Sequence, residues 1–209
     1  MQRLLCVVVT ALLLLPAACS QAGEGKPGEG DKLIQVPLTT LDGKETSLAA
    51  LVKGRVTAFK FGTTWCGWCN KLLGEFDKAI AVYGDKVVFL DIDVSEPPKL
   101  VKSHHEKGGF KTPVVLDPKG KAAAKYNAEG FPTFLIADHK GKILLRGYYV
   151  PFEQFKPLLD KAVEAAEKAG VKSKTKGDEK AQPPKPPTKE EVKKEIEQGL
   201  DDLQKAVEK

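Results

Sequence analysis

The chain has 209 residues, enough for one domain of ordinary size with further segments at its ends. Its composition, 42% hydrophobic and 29% charged residues, permits a packed core. The formal net charge of +5 is mild, and no basic stripe is interleaved with aromatic residues. Nucleic acid is therefore not expected as a partner, and a solvated lysine-rich tail explains the charge.

The N-terminus has the pattern of a secretory signal peptide. Arg3 supplies a positive charge, residues 4–15 form an apolar run too short to span a bilayer comfortably, and small residues follow. We therefore predict that residues 1–18 are a signal peptide and that the mature protein is extracytoplasmic, in the periplasm or cell envelope.

The end of this segment is similar to a bacterial lipobox, in which cleavage precedes a cysteine that is then lipidated. Here that residue is Cys19, although Pro16 stands where leucine is usual. The alternative is ordinary cleavage near Ala18, which would leave Cys19 as a free thiol. Because a lone thiol outside the cytoplasm invites unwanted pairing, we predict lipidation of Cys19 and a membrane anchor.

The remaining chain divides by composition. Residues 19–32 are Gly-rich and charged, which predicts a lipidated flexible tether, and residues 33–169 have the patterning of a folded domain. Residues 170–189 form a Lys/Pro-rich linker. Residues 190–209 carry apolar side chains at spacings of three and four, which predicts an amphipathic helix whose contacts stay open.

Within the domain the patterns predict an α/β fold, a mixed central β-sheet with helices on both faces. The predicted elements, in chain order, are extended segments over 33–36 and 37–41, a short helix over 46–52, a strand over 55–61, a helix over 67–83, a strand over 87–92, a helix from 97 to 107, a strand over 112–116, a short helix over 122–126, a hairpin of 134–137 and 143–148, and a helix that begins near Pro157 and ends by Gly170.

Two cysteines remain for the domain, because Cys6 lies in the signal peptide and Cys19 is the predicted anchor. Cys66 and Cys69 close too small a ring to restrict the unfolded chain usefully. They lie where a strand meets a helix N-terminus, whose N–H groups and dipole favour the thiolate of Cys66. Cys66 is thus the candidate nucleophile, and Cys69 the thiol that resolves the mixed disulfide.

Two other interpretations of the pair remain open, a structural disulfide and a zinc site. Zinc would need a second pair of ligands, but His104 and His105 are adjacent and His139 is solitary. We expect neither a metal nor a cofactor.

The surroundings of the pair predict a substrate-binding surface. Trp65 and Trp68 flank the cysteines and offer apolar surface. Far downstream, Pro132 follows Phe131 and directly precedes an apolar strand. Proline suits a strand start, and we predict a cis Phe131–Pro132 bond that exposes backbone to a substrate chain; a trans proline that merely opens the strand is the alternative.

Several motifs together resemble the thioredoxin superfamily, in particular the TlpA/ResA-like branch of membrane-tethered oxidoreductases. The resemblance covers residues 33–168. It rests on the sequences LDG over 41–43, FGTTWCGWC over 61–69, VLDP over 115–118, GFPTFLIAD over 130–138 and GKI over 141–143.

The resemblance implies a thioredoxin-like fold in which residues 97–116 form the extra helix–strand unit of this branch. It implies a nucleophile at Cys66, a resolving thiol at Cys69 and a cis-proline at Pro132. It also implies substrates that are disulfide-bearing extracytoplasmic proteins, such as apocytochromes awaiting haem, and a thiol donor in the membrane.

The chain departs from this family at positions that tune the cysteines. Trp68 stands where the branch often has proline, and Lys60 stands six residues before Cys66, where thioredoxin has a buried aspartate. Lys60 could lower the thiol pKa values, accept the proton of Cys69 as a neutral amine, or extend to the surface. Glu75 is expected to form an exposed helix pair with Lys71.

Two other functions compete with disulfide exchange. A copper-handling protein would use Cys66, Cys69 and His139 as ligands. A binding module without turnover would use only the scaffold and the C-terminal helix, but the intact cysteine pair argues against it.

Overall fold

The computed structural model describes residues 26–171. The predicted signal peptide, Cys19, nearly all of the Lys/Pro-rich linker and the helix predicted over 190–209 lie outside the described residues. Within residues 26–171, no helix combines the length and the apolar character needed to cross a membrane.

The described residues form seven strands and five α-helices. They are β1 (Pro37–Thr39), β2 (Glu45–Ser47), α1 (Leu48–Val52), β3 (Val56–Gly62), α2 (Gly67–Tyr83), β4 (Val87–Val94), α3 (Pro98–Gly108), β5 (Val114–Asp117), α4 (Lys121–Lys125), β6 (Thr133–Ala137), β7 (Ile143–Gly147) and α5 (Phe152–Lys168).

The strands of the described region form one mixed sheet in the order β2-β1-β5-β4-β3-β6-β7. β3, β4 and β5 are parallel, and the other pairings are antiparallel. All seven residues of β3 are buried, because strands and helices cover this central strand on every side. The predicted α/β class and mixed sheet are confirmed.

Each face of the sheet has its own apolar cluster. On one face, α2 and α5 pack against alternate residues of β3, β4 and β6 around Phe76, Phe134 and Phe155. α3 lies on the same face, where Val101 packs against β5. α1 and α4 cover the other face, where Phe59, Phe61 and Tyr126 are in contact. Helices therefore lie on both faces, as predicted.

The start of the domain differs from the prediction. Residues 46–47, predicted as helical, belong to β2, which pairs antiparallel with β1. Gly43 adopts φ of 82°, and the turn that it allows folds the chain back on itself. Ser47 then caps α1 by accepting a hydrogen bond from the Ala50 N–H. The turn at Gly43 thus closes a β-hairpin, and α1 begins two residues later than predicted.

The last helix, by contrast, begins earlier than predicted, at Phe152 and not near Pro157. Pro157 lies in its second turn and lacks the N–H that would bond to the Glu153 carbonyl. The extra turn buries Phe152 and Phe155 against the sheet, and this burial outweighs the missing hydrogen bond.

Part of the predicted tether contacts the domain. Gly30 N–H donates to the Ile143 carbonyl, and Ile143 N–H donates to the Asp31 carbonyl. Pro27 is buried, and its carbonyl accepts a hydrogen bond from the Arg146 guanidinium at 3.1 Å. The ordered contacts therefore begin several residues before position 33.

Candidate functional site

Cys66 and Cys69 lie at the N-terminus of α2, immediately beyond the end of β3. Cys66 is the N-cap residue of α2, and its Sγ accepts a hydrogen bond from the Cys69 N–H at 3.2 Å. The two sulfurs form a disulfide. Cys66 retains 7% exposure whereas Cys69 retains none, so a partner can approach only the first sulfur of the pair.

Polar contacts hold the loop that leads into Cys66. Thr64 N–H and Oγ1–H donate to the two carboxylate oxygens of Glu96, at 2.5 and 2.8 Å. Asn70 Nδ2 donates to the Thr64 carbonyl, and Asn70 Oδ1 lies 2.9 Å from His104 Nε2. Every backbone polar group of Thr64 is thereby fixed, which holds the position of the loop.

Pro132 lies beside the same loop. The Phe131–Pro132 peptide bond is cis, as the sequence predicts. Thr133 pairs with Phe61 near the end of β3, which places Pro132 next to the segment that leads to Cys66.

The predicted substrate-binding residues divide between surface and core. Trp65 and Trp68 are 76% and 56% exposed. Phe131 is half-buried and packs against the apolar cluster of the opposite face, and Pro132 is buried. Of the four predicted substrate-binding residues, only the two tryptophans therefore present large side chains to solvent.

Two tyrosines that the sequence analysis did not single out extend this aromatic surface. Tyr149 packs against Trp68 with ring centroids 5.2 Å apart. Tyr148 is largely exposed and lies against Gly130, two residues before Pro132. The Nζ of Lys71 lies 4.2 Å from the ring centroid of Trp68. Aromatic rings therefore line the approach to the cysteines.

Lys60 is buried, with 1% exposure, and does not extend to the surface. Its ammonium forms an ion pair with Oδ1 of Asp91, the residue opposite it on β4. The other oxygen, Oδ2, lies 2.9 Å from His105 Nε2 on α3. Burial alone would raise the pKa of Asp91, but the Lys60 charge and the His105 contact outweigh it and hold the pKa low. Asp91 is therefore ionised and is the counter-ion of the Lys60 ammonium.

Gly62 brings this cation close to the redox pair. A β-carbon placed on Gly62 would lie 2.7 Å from Lys60 Nζ and 2.8 Å from Cys69 Sγ. The cation and the sulfur therefore border the same small space, which only a residue without a side chain leaves open.

Asp93 is a second buried carboxyl at this end of the sheet. It lies opposite Gly62 in the pairing of β3 with β4 and is 3% exposed. Among the described residues, its Oδ1 has no hydrogen-bond partner. Burial, then a hydrogen bond with the Glu96 carboxyl, then repulsion from Asp91 raise the pKa of Asp93 to about 8.

One predicted contact and one alternative ligand set are not found. Glu75 does not pair with Lys71: its carboxylate accepts hydrogen bonds from Lys78 and from the Phe152 N–H at the start of α5. His139 follows Ala137, which pairs with Thr57 at the beginning of β3, whereas the cysteines lie beyond its end. His139 is therefore at the opposite end of the strand and cannot complete a copper site with the cysteines.

Within the part of the chain that the structure describes, no group of three histidine, cysteine or acidic side chains is close enough together to hold a metal ion.

Neither Asp91 and Asp93 nor the contact of His105 with Asp91 was predicted from the sequence. One signal was present, because β4 carries two aspartates at alternate positions of an otherwise apolar strand, and such residues point to the same face. That they face Lys60 depends on the register of β4 against β3, which pattern analysis does not give.

The model of the AhpC/TSA family matches residues 30–146. No curated protein is a significant match to the sequence.

Solved structures with a similar fold come from several bacteria. A putative protein disulfide isomerase from Bacteroides thetaiotaomicron is 24% identical, with a TM-score of 0.58 over 69% of this chain and 95% of that one. A putative thiol:disulfide interchange protein DsbE from Chlorobium tepidum is 24% identical, with a TM-score of 0.56 over 66% and 96%. A secreted Mycobacterium tuberculosis disulfide oxidoreductase is 22% identical, with a TM-score of 0.51 over 62% and 95%. These likenesses show that the fold is thioredoxin-like.

Proposed function

Because the chain belongs to the AhpC/TSA family and folds like thioredoxin, we propose that it is a thiol–disulfide oxidoreductase that works through Cys66 and Cys69. The observation that carries the proposal is the placement of the two sulfurs. Cys66 caps α2 and retains some exposure, whereas Cys69 lies directly beneath it without any. This asymmetry suits an attacking thiol and a resolving thiol.

In the reducing direction, the Cys66 thiolate attacks one sulfur of a substrate disulfide and forms a mixed disulfide. The other substrate sulfur leaves with the electron pair. Cys69 then attacks Cys66, forms the internal disulfide and releases the reduced substrate. The N–H groups at the start of α2 stabilise the Cys66 thiolate, as the Cys69 N–H contact to its sulfur supports.

Lys60 is proposed to stabilise the thiolate form of the resolving Cys69. Its ammonium borders the same space as Cys69 Sγ and is held there by Asp91. A fixed cation at this position favours the thiolate of Cys69 over the thiol. The ion pair with Asp91 disfavours the alternative in which a neutral lysine accepts the proton.

The proposed substrates are disulfide-bearing extracytoplasmic proteins, reduced by a chain tethered to the membrane through lipidated Cys19. A substrate segment would lie against Trp65, Trp68 and the Phe131–Pro132 segment. Support comes from the exposure of the tryptophans beside the redox pair and from the signal-peptide pattern of the sequence. Electrons would return to the pair from a thiol donor in the membrane, and maturation of c-type cytochromes is one process that needs such reduction.

The test compares the reduction of insulin disulfides by the wild type, Cys66→Ser and Cys69→Ser. We expect no activity above background from either variant, but only Cys69→Ser should accumulate a mixed disulfide with the substrate, because it retains the attacking thiol. Undiminished activity of Cys66→Ser would overturn the proposal.

A further inference from the structure

The resolving step has a requirement that the cysteines alone do not meet. Cys69 must lose its proton before it attacks, because the thiolate is the nucleophile. Its side chain has no exposed surface, so solvent cannot accept the proton directly. A group inside the domain must accept it.

The titratable groups around Cys69 come from three elements. Lys60 is on β3, Asp91 and Asp93 are on β4, with Glu96 in the loop that follows, and His104 and His105 are on α3. Asp91 binds both Lys60 and His105. The Lys60 ammonium has no lone pair with which to accept a proton. Its charge and the His105 contact outweigh burial and lower the pKa of Asp91, which makes that carboxylate a poor proton acceptor.

His104, the residue before His105, also has a polar partner. His104 Nε2 lies 2.9 Å from Asn70 Oδ1, in the group that holds Thr64. Burial, and then the neighbouring His105, lower the pKa of His104. This leaves the two carboxyls at the end of β4 as acceptors.

We propose that Asp93, with Glu96 as its proton outlet, accepts the proton of Cys69 when the mixed disulfide is resolved. Three observations carry this proposal, which rests on the proposed function. Asp93 lies opposite Gly62, whose open side borders both Cys69 Sγ and Lys60 Nζ. Its Oδ1 is buried and has no partner among the described residues. Glu96 is only half-buried, so it connects Asp93 to the surface.

The Cys69 S–H proton moves to the Asp93 carboxylate, and the Cys69 thiolate attacks Cys66 Sγ. The Cys66–Cys69 bond forms, the bond from Cys66 to the substrate sulfur breaks, and that sulfur leaves with the electron pair and takes a proton from water. Asp93 then passes its proton through Glu96 to solvent. When a donor thiolate reduces the pair, the sequence reverses and protonated Asp93 supplies the proton to the departing Cys69 thiolate.

The raised pKa of the Asp93 carboxyl supports this assignment. A proton acceptor works best when its pKa is close to that of the donor and to the operating pH. The raised pKa of Asp93, about 8, is close to the ordinary value of a thiol.

The test separates the two chemical steps in the reduced protein. An aromatic disulfide that releases a coloured thiolate reports both in one stopped-flow trace. The attack by Cys66 gives a first release whose rate depends on reagent concentration, and resolution by Cys69 gives a second release whose rate does not. Only the second should respond to Asp93.

For Asp93→Asn we expect the second release to slow on the order of a hundredfold at neutral pH. The pH at which it is half-maximal should rise, because the proton then has to leave without the carboxylate. The first release should stay within about twofold, since Cys66 does not use this group. Asp85→Asn, the same change at an exposed site, is the matched control and should alter neither phase.

Glu96→Gln provides an independent variant that should act in the opposite direction. Because the Glu96 carboxyl raises the pKa of Asp93, its loss should lower the pH at which the second release is half-maximal. This readout stays informative if Asp93→Asn fails to fold, and an unchanged or raised midpoint in Glu96→Gln would overturn the proposal.

The outcomes also separate this inference from the proposed function. A normal second release in Asp93→Asn, with the wild-type pH profile, would overturn the role of Asp93 and leave the oxidoreductase intact. Absence of the second release from the wild type would instead overturn the two-cysteine mechanism itself.

Discussion

Lys60 and Asp91 face each other across two parallel strands, and neither side chain reaches solvent. The attraction between them offsets the large cost of removing two charges from water only while both partners are present. His105 adds a contact to the second carboxylate oxygen. The cluster is therefore sensitive to the loss of one member more than to the loss of the pair.

This sensitivity predicts the effect of Lys60→Met. The variant leaves the Asp91 charge buried without its cation, and we expect the free energy of unfolding to fall by about 3–5 kcal/mol. The double variant Lys60→Met/Asp91→Asn should recover much of that loss, because the amide keeps the His105 contact without a charge. Urea unfolding of the wild type, both single variants and the double variant measures this coupling. Additive effects of the two substitutions would contradict it.

At the scale of secondary-structure elements, the predicted bounds are accurate where neighbouring residues determine them and wrong where distant residues do. α2 has the predicted bounds, because the strand–cysteine junction begins it and Gly84, with φ of 54°, ends it. The predicted start of α5 was wrong, because Pro157 by itself disfavours a helix at that position. The opposing reason, burial of Phe152 against the sheet, depends on distant residues.

The site shows the same division. Cys66, Cys69 and the cis bond at Pro132 follow from motifs and were predictable. The positions of Asp93 and Glu96 were not predictable, because they depend on the register of β4 against β3 and on the path of the loop that follows.

Glu75 joins two elements, and its contacts give a prediction at this scale. Its carboxylate accepts a hydrogen bond from the Phe152 N–H at 3.0 Å, which satisfies a free donor at the start of α5. Burial opposes ionisation, but this N–H and Lys78 outweigh it and lower the pKa of Glu75. We expect Glu75→Ala to reduce the free energy of unfolding by about 1–3 kcal/mol.

Glu164→Ala is the matched control for this change. Glu164 is also helical, but its partner Lys168 lies on the exposed side of α5. Loss of such a surface pair should cost less than about 0.5 kcal/mol. Equal shifts of the urea midpoint in the two variants would mean that Glu75 does not connect α2 to α5 in a way that stabilises the fold.

At the scale of the whole molecule, the segment before β1 extends the sheet edge. Residues 27–32 run beside β7, and Arg146 binds the Pro27 carbonyl together with those of Tyr126 and Asn127. The same guanidinium therefore ties the N-terminal segment to the loop that precedes the cis-proline. The predicted tether is in this part a component of the domain.

Two truncations test this view. A chain that begins at residue 26 should unfold like the intact domain. One that begins at residue 33 should be less stable by about 2 kcal/mol, because it loses two backbone hydrogen bonds to Ile143 and one acceptor of Arg146. Urea unfolding of both chains measures the difference. Coincident midpoints would mean that the segment is only a connector.

Gly62 contributes no functional group, yet it determines how near the cation and the resolving sulfur can be. A methyl group at this position would meet both Lys60 Nζ and Cys69 Sγ at less than 3.0 Å and would act as a wedge between them. In the proposed mechanism, the spacing between the cation and the Cys69 sulfur is thus set by a residue that takes part in no reaction. Substitution of Gly62 alone could therefore change the redox properties of the cysteine pair, while both cysteines, the lysine and the carboxyls stay unchanged.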